Sequence, residues 1–555
     1  MTGIGQQFSV KRLLLVILFL LPFAFLALFF FYPLANIIGV SLTVDAVARL
    51  FTRSYYLDVL WFTVWQAAVS TILTLMLGLP AAYIFARYEF PGRRLLRALT
   101  TVPFVMPTVV VAAAFRALLG PGGPLNRALV AIFDLSQPPV QLEQTLTIIL
   151  MAHIFYNVTI VVRLVGGFWA NLGPRTSEAA QVLGASPART FREVTLPLLQ
   201  PALIASSLLI YLFTFTSFGV ILLLGGPAYS TLETEIYRQY ITFLSPDIAA
   251  VLSLLQILFT FALMSLYARW QQRSAVALDF RPQGSTRRSP QTMRERVVLW
   301  LVAGFLFVFE VLPLVALVWQ SFMRRDGTLT LAYYQALPEL ERGSITFIPP
   351  LLAIRNSVGY ALLTVLAAGL MGMVSAMLLT RADRWRGWLD PIFMLPLGAS
   401  AVTLGFGYVI TFDELRTSPL LVLIAHVLVA LPFVVRTLLP VLQGIKPSLR
   451  EAAAVLGASP SRVWREVDLP IVGRALLVAA VFAFTVSMGE FGATSFIVRP
   501  NSGFLTMPIA IARHLGTPGP LNFGQALAMS AILMAVTATG FVAIERFRFA
   551  DVGEF

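Results

Sequence analysis

Long apolar runs separated by short polar segments make up most of the chain. A helix needs about 20 mostly apolar residues to cross the hydrocarbon core of a membrane, and twelve runs reach that length. The pattern therefore predicts an all-α polytopic membrane protein with about twelve transmembrane helices. The runs lie near residues 13–38, 57–86, 95–119, 143–165, 197–223, 246–268, 296–322, 354–380, 388–411, 418–440, 470–495 and 523–545.

The first apolar run begins just after two basic residues, Lys11 and Arg12. A cleaved signal peptide would end in small residues at a cleavage site. Here the run ends in bulky aromatic residues that lead into Pro33. We therefore expect an uncleaved signal anchor that remains as the first span.

Composition and charge support a membrane location. Of the 555 residues, 58% are hydrophobic and only 12% are charged, whereas soluble proteins carry about 25% charged residues. The net charge of +13 would suggest nucleic acid in a soluble protein, but the arginines cluster after the second, sixth, eighth and twelfth runs. If twelve spans alternate, all four clusters fall on one side, which the positive-inside rule makes cytoplasmic. We expect a bacterial inner-membrane protein with both termini in the cytoplasm.

The chain contains an internal repeat. Residues 178–187 read EAAQVLGASP and residues 451–460 read EAAAVLGASP, at an offset of 273. The same offset pairs His153 with His426, while earlier parts of the two halves match at an offset of 294. Two six-span halves in the same orientation form a parallel repeat. The predicted domains are a first repeat at 1–268, a cytoplasmic linker at 269–295 and a second repeat at 296–555.

The best-matched parts of the repeat are polar and lie between the fourth and fifth spans of each half. We call residues 175–197 the first EAA loop and residues 448–470 the second EAA loop. In the first loop, Gly184 should end a short helix, and Ser186 should cap a second helix that starts at Pro187. In the second loop, Ser448 and Glu451 have the spacing of a capping box. Each loop is thus predicted to be a cytoplasmic helix-turn-helix.

The two EAA loops resemble the EAA loop of permease subunits of bacterial ABC importers, and the resemblance extends to span number and orientation across the chain. In that family the loop forms a coupling helix that docks on an ATPase subunit. The resemblance implies a type I importer permease with two ATP-binding subunits on the cytoplasmic side and an extracytoplasmic solute-binding protein. The implied ATPase-coupling residues are Glu178, Ala179, Ala180, Gly184, Pro197, Glu451, Ala452, Ala453, Gly457 and Pro470.

The chain lacks the elements of an ATPase site. A P-loop needs a lysine directly after glycine, but the two lysines, Lys11 and Lys446, follow Val10 and Ile445. ATP and Mg²⁺ are therefore expected on a partner, with no cofactor on this chain. Three scattered histidines and no cysteine predict neither a metal site nor a catalytic site.

Polar and aromatic residues within the spans are the candidates for a substrate pathway, because polar groups are costly there. Carboxylates could stabilise a cation and aromatic rings could stack on it. For Glu490 a hydrogen bond to a neighbouring helix is an equally good interpretation, and for the histidine pair an interhelical contact is the favoured one. The candidates are Glu490, its repeat counterpart Ser217, Phe218, Phe491, Tyr211, Glu310, His153, Asn157 and His426.

Three segments indicate which substrate class the resemblance favours. Residues 152–164 and 213–240 resemble the thiamine permeases, whereas EFGAT at 490–494 is shared with iron(III) and oxyanion permeases. The resemblance favours thiamine or a related cation, with iron(III) as the alternative. A secondary transporter is the alternative class. It would have to couple through Glu310 and Glu490, and neither has a carboxylate at the equivalent repeat position.

Overall fold

The computed structural model describes residues 19–41, 43–172, 175–273, 287–324, 326–340, 346–382, 386–499 and 502–547. In this part of the chain, eleven helices are long and apolar enough to cross a membrane, and a pair bent by 91° supplies a twelfth. No β-strand occurs among these residues, which form only two isolated β-bridges. The prediction of an all-α polytopic membrane protein is confirmed.

The helices of the first half begin with a span that ends near the start of a short amphipathic helix. We number them in chain order: α1 Phe19–Ser41, α2 Val44–Thr52, α3 Ser54–Arg87, α4 Arg93–Val105, α5 Thr108–Leu119, α6 Pro124–Phe133, α7 Leu146–Asn171, α8 Arg175–Val182, α9 Pro187–Thr190, α10 Leu196–Phe215, α11 Gly219–Leu224, α12 Leu232–Ile241 and α13 Pro246–Arg273.

The helices of the second half follow the same order. They are α14 Met293–Ser321, α15 Ala332–Gln335, α16 Pro350–Arg381, α17 Arg386–Gly398, α18 Ala401–Thr411, α19 Pro419–Gly444, α20 Pro447–Val455, α21 Pro460–Val463, α22 Leu469–Gly489, α23 Gly492–Ile497, α24 Met507–Gly516 and α25 Pro520–Phe547. A π-helical turn joins α9 to α10 and another joins α21 to α22.

Four of the predicted spans are broken rather than continuous, and the breaks occur at matching repeat positions. The predicted span 95–119 is divided into α4 and α5, because Pro107 disfavours a helical conformation at the residue before it. Its counterpart, 388–411, bends by 91° where Ser400 caps α18. The predicted spans 197–223 and 470–495 end early, as α10 and α22, and continue as the short helices α11 and α23.

The first helix of each half packs against the broken span of the other half. Helix α1 lies against α18, where the Asn36 amide donates to the Thr411 hydroxyl at 3.1 Å. Helix α14 lies in the same way against α4 and α5. Because apolar helices in lipid associate through close packing and interhelical hydrogen bonds, this exchange joins the two halves along their length.

Some sequence predictions concern residues outside the described part. These are residues 13–18 of the first predicted span, residues 274–286 of the predicted linker, and both chain termini. The end of the linker is described, and it is attached to the first half. The Arg288 amide donates to the Arg87 carbonyl and the Glu89 amide to the Arg288 carbonyl, each at 3.1 Å, while the Arg288 side chain pairs with Glu295.

Candidate functional site

Both EAA loops form the predicted helix-turn-helix. Gly184 and Gly457 follow α8 and α20 with φ values of +86° and +80°, a conformation that favours glycine. The Ser186 hydroxyl caps α9 by accepting from the Arg189 amide at 3.3 Å, as predicted. The predicted capping box at Ser448 is wrong. Pro447 takes the first helical position, where its missing N–H has no cost, so Ser448 lies inside α20 instead of before it.

The tip of each EAA loop exposes a pair of apolar side chains. Val182 and Leu183 are 86% and 88% exposed, and their repeat counterparts Val455 and Leu456 are 86% and 87% exposed. The predicted coupling residues surround these pairs: Glu178, Ala179, Gly184, Pro197, Glu451, Ala452, Gly457 and Pro470 are exposed, and Ala180 and Ala453 are half-buried. Two matched apolar patches on short helices mark a surface suited to protein contacts.

Each EAA loop is braced against the start of the following span. Arg189 pairs with Glu193 at 3.0 Å, and the matching Arg462 pairs with Glu466 at 2.9 Å. A second brace differs between the halves. In the first loop it is a hydroxyl contact of 3.5 Å between Ser177 and Thr195, whereas the matching positions in the second loop form the Arg450–Asp468 ion pair at 2.8 Å.

His153 connects three helices at the break between α10 and α11. Its Nδ1 lies 3.0 Å from the Ser70 hydroxyl of α3, and its Nε2 lies 2.9 Å from the hydroxyl of Ser217, within the break. Asn157 donates to the His153 carbonyl at 2.8 Å. The imidazole is buried, and both ring nitrogens have partners within the protein. This geometry is that of an interhelical contact.

His426 occupies the matching position at the break between α22 and α23. Its Nδ1 lies 2.7 Å from the Ser487 hydroxyl and its Nε2 lies 3.1 Å from the Thr494 hydroxyl. Glu490 lies within this break, with Oε2 3.6 Å from His426 Nε2. The carboxylate caps α23, since Oε1 accepts from the Ala493 amide at 2.7 Å and Oε2 from the Thr494 amide at 3.0 Å.

The two breaks meet where Phe218 and Phe491 stack, with ring centroids 5.5 Å apart and planes inclined by 27°. Both rings are buried. Tyr237 of α12 meets the edge of Phe218 at 5.5 Å and Phe496 of α23 at 5.3 Å. The structure thus places an aromatic cluster from both halves at the junction of the two broken spans.

Two predicted pathway residues lie away from this cluster. Tyr211 stacks on Phe215 at 6.0 Å, and its hydroxyl donates to the Val64 carbonyl at 3.4 Å. Glu310 is buried in α14, and neither carboxylate oxygen has a hydrogen-bond partner among the described residues. A buried carboxyl group without partners is costly in such a setting.

Sequence reasoning missed several polar residues around the breaks. Ser70 and Ser487 hold the two histidines, and Thr494 lies between His426 and Glu490. Two further carboxylates, Glu233 and Glu235 of α12, are fully buried. Their position could have indicated burial, because both glutamates lie in a short segment between two long apolar runs.

Comparison with known proteins agrees with this architecture. Residues 75–276 match the family described as binding-protein-dependent transport system inner membrane component. The chain is 26% identical over 526 residues to the "Probable ABC transporter permease protein y4fN" of Sinorhizobium fredii, covering 90% of each chain. It is 27% identical over 529 residues to the thiamine transport system permease protein ThiP of Brucella abortus, covering 92% of this chain and 93% of ThiP. Residues 75–276 are thus a permease domain of this family, and the chain is similar to ABC transporter permeases over most of its length.

A shorter relative bears on the internal repeat of this permease. A protein of Salmonella typhi described as PhnU, a permease of a 2-aminoethylphosphonate transport system, is 29% identical over 264 residues. That match covers 91% of PhnU but only 46% of this permease. Such coverage is consistent with two permease repeats fused in one chain, and the family places the permease among multi-pass inner-membrane proteins.

Proposed function

We propose that this permease imports a small solute across the cytoplasmic membrane by alternating access, driven by ATP hydrolysis on two separate ATP-binding subunits. The observation that carries the proposal is the matched pair of EAA loops. Each loop begins with a helix that ends before a glycine, and two exposed apolar side chains lie at the end of that helix, at the same repeat position. Two equivalent docking elements in one chain suit two ATPase domains, either identical or fused. ATP and Mg²⁺ bind to those partners, and this chain binds no cofactor.

The proposed mechanism runs from the EAA loops to the broken spans. Closure of the ATPase pair brings the two loops together, and α10 and α22 carry that movement along their length. Both helices end at the breaks where Phe218 stacks on Phe491. Separation of these rings opens the path to a docked extracytoplasmic solute-binding protein, and hydrolysis restores the inward-facing state. In this scheme both termini and the linker 269–295 are cytoplasmic, between repeats 1–268 and 296–555.

Thiamine or a related organic cation is the substrate class that we favour. Support comes from the likeness to ThiP over 92% of the chain and from the aromatic cluster, since aromatic rings can stack on a flat cation. Glu490 is the carboxylate nearest to that cluster in sequence, since it directly precedes Phe491. Iron(III) is the alternative from sequence, since oxygen ligands such as Glu490 and Tyr211 suit it.

Reconstitution tests the function directly. The permease with its ATPase and binding protein in proteoliposomes should take up radiolabelled thiamine only when ATP is supplied. Iron(III) and 2-aminoethylphosphonate serve as competitors in the same assay. Uptake that continues without ATP hydrolysis would exclude an ABC importer, whereas ATP-driven uptake of another solute would reject only the thiamine assignment.

Variants of the EAA loops test the coupling role. Gly184→Pro should uncouple ATP hydrolysis from uptake, because proline cannot adopt the positive φ that ends α8. Glu451→Lys should have a similar effect by reversing the charge of an exposed residue at the proposed interface. Gly184→Asn is the matched control, since asparagine tolerates this conformation. If both coupling variants transport normally, these loops do not transmit the ATPase movement.

A further inference from the structure

Glu233 is a buried carboxylate that links the two halves of the permease. It lies at the start of α12, fully buried. Its Oε1 accepts from the Gln256 amide of α13 at 2.9 Å, and its Oε2 accepts from the Ser400 hydroxyl at 2.6 Å. Ser400 caps the bent helix α18 of the second half. One carboxylate therefore joins α12 and α13 to α18.

The hydrogen bonds around Glu233 suit its ionised form. The Ser400 oxygen already accepts from the Val402 and Thr403 amides, at 3.1 and 3.4 Å, so its own proton points to Glu233. Each carboxylate oxygen thus receives a donor. Glu233 is also the second residue of α12, where the helix dipole favours a negative charge.

An ionised Glu233 would have no cationic partner in the described part of the chain. None of those residues forms an ion pair with Glu233, although the neighbouring Glu235 lies 4.0 Å from Arg238. A buried carboxylate without a counter-charge strongly disfavours the folded state. A positive charge that the polypeptide does not supply would remove this cost.

Unpartnered oxygen atoms lie on the adjoining face of α13. Gln256 donates to Glu233 through Nε2, and its Oε1 has no hydrogen-bond partner in the described structure. The hydroxyls of Ser253 and Thr260, one turn before and one turn after, also lack partners there. All three side chains are at least 98% buried. Carboxylate, amide and hydroxyl oxygens are the ligands that hard cations prefer.

The second half shows that the fold does not need these groups. The Leu232 amide at the start of α12 donates to the Thr63 hydroxyl at 3.0 Å, and the Met507 amide at the start of α24 donates to the Ser357 hydroxyl at 2.7 Å. The two helices are thus equivalent. At the offset of 275 that relates Leu232 to Met507, Glu233 matches Pro508 and Gln256 matches Ala531, and at the offset of 294 Ser400 matches Met106. The same junction therefore forms without a carboxylate.

We propose that Glu233 and Gln256, with the adjacent hydroxyls of α13, bind a monovalent cation of the sodium type between the two halves of the permease. One carboxylate balances one positive charge, whereas divalent cations generally require more anionic ligands. Because α18 belongs to the other half, the ion stabilises their contact. The inference is independent of the transported solute.

Thermal unfolding of the full-length permease in lipid nanodiscs tests the proposal. NaCl should raise the unfolding temperature saturably relative to N-methylglucamine chloride at equal ionic strength, because a ligand that binds only the folded state stabilises it. Labelled ²²Na⁺ should bind at one ion per chain. Glu233→Gln should abolish both effects, whereas Glu235→Gln, a buried acid with its own partners Gln239 and Tyr55, should retain them.

Gln256→Leu provides a second variant if Glu233→Gln does not fold, and it should weaken ²²Na⁺ binding at least tenfold. The proposal is overturned if the wild type shows no sodium-specific stabilisation, or if Glu233→Gln keeps it. It is also overturned if stability follows pH alone, because Glu233 would then carry a proton in place of a metal ion. Loss of ATP-driven uptake without any change in sodium binding would affect only the proposed function.

Discussion

At the break in the first half His153 contacts a neutral hydroxyl, that of Ser217, whereas at the matching break His426 faces Thr494 and the carboxylate of Glu490. This difference changes how the helix after each break is capped at its N-terminus. Helix α23 is capped by two amide hydrogen bonds to Glu490, while α11 begins at Phe218 without a side-chain cap. The start of α23 is therefore held more strongly than the equivalent start of α11.

The EAA loops also differ in that the second half has the stronger contact. The brace in the first loop is the hydroxyl contact between Ser177 and Thr195, and the brace in the second is the Arg450–Asp468 ion pair. Charge-assisted hydrogen bonds are about twice as strong as neutral ones. At both ends of the fifth span the second half is fixed more firmly, so we expect the first half to move more readily during transport.

Removing the carboxylate cap should produce the largest effect. Glu490→Ala leaves the Ala493 and Thr494 amides without their acceptor, at a cost of about 1–3 kcal/mol. We expect a lower unfolding temperature and a loss of uptake. Glu490→Gln is the control, since its side-chain oxygen can still accept from an amide and should retain part of the stability. An Ala variant as stable as the wild type would show that the second break is not held by this cap.

Removing the ion-pair brace should have an intermediate effect. Arg450→Ala loses a partly exposed pair, for which about 0.2–1 kcal/mol is typical. The main expected change is a lower ratio of solute transported to ATP hydrolysed, measured in proteoliposomes. Ser177→Ala is the matched control and should change this ratio less. Equal ratios in the two variants would contradict the proposed difference between the loops.

Removing the neutral hydroxyl should have the smallest effect on transport, although its cost in stability is comparable to that of the ion-pair brace. Ser217→Ala loses one hydrogen bond to His153, worth about 0.5–1.5 kcal/mol. Hydrogen exchange should become faster in α11 while that in α23 stays unchanged. If α23 responds as strongly as α11, the two breaks form one cooperative unit and the comparison between the halves fails.

The sequence predicted the number of spans, their repeat and the form of the EAA loops, because each depends on local information. Apolar length determines a span, Gly184 and Gly457 determine where a helix ends, and Pro187 determines where the next begins. The same local logic explains the error at Ser448. Pro447 and Ser448 are adjacent, and each is a signal for the start of a helix. The helix begins at Pro447, so Ser448 lies inside it.

The breaks between α10 and α11 and between α22 and α23 could not be predicted, because they lie inside runs that are apolar enough to continue as helix. Ser217 and Glu490 mark them, but each residue would also fit an unbroken span with a polar side chain facing a neighbour. The roles of His153 and Glu233 depend on residues more than 60 positions away, namely Ser217 and Ser400. Such partners become visible only when helices from both halves are placed together.

Helices α1 and α14 each pack against both halves, α1 against α13 and α18, and α14 against α25 and against α4 and α5. Each half is therefore in contact with the first helix of the other half. If α18 tilts in the proposed transport cycle, we expect α1 to move with it, because the two helices are in contact and joined by the Asn36–Thr411 hydrogen bond. Under the proposed mechanism, we therefore expect opening to move both halves together, with the more weakly braced first half moving first.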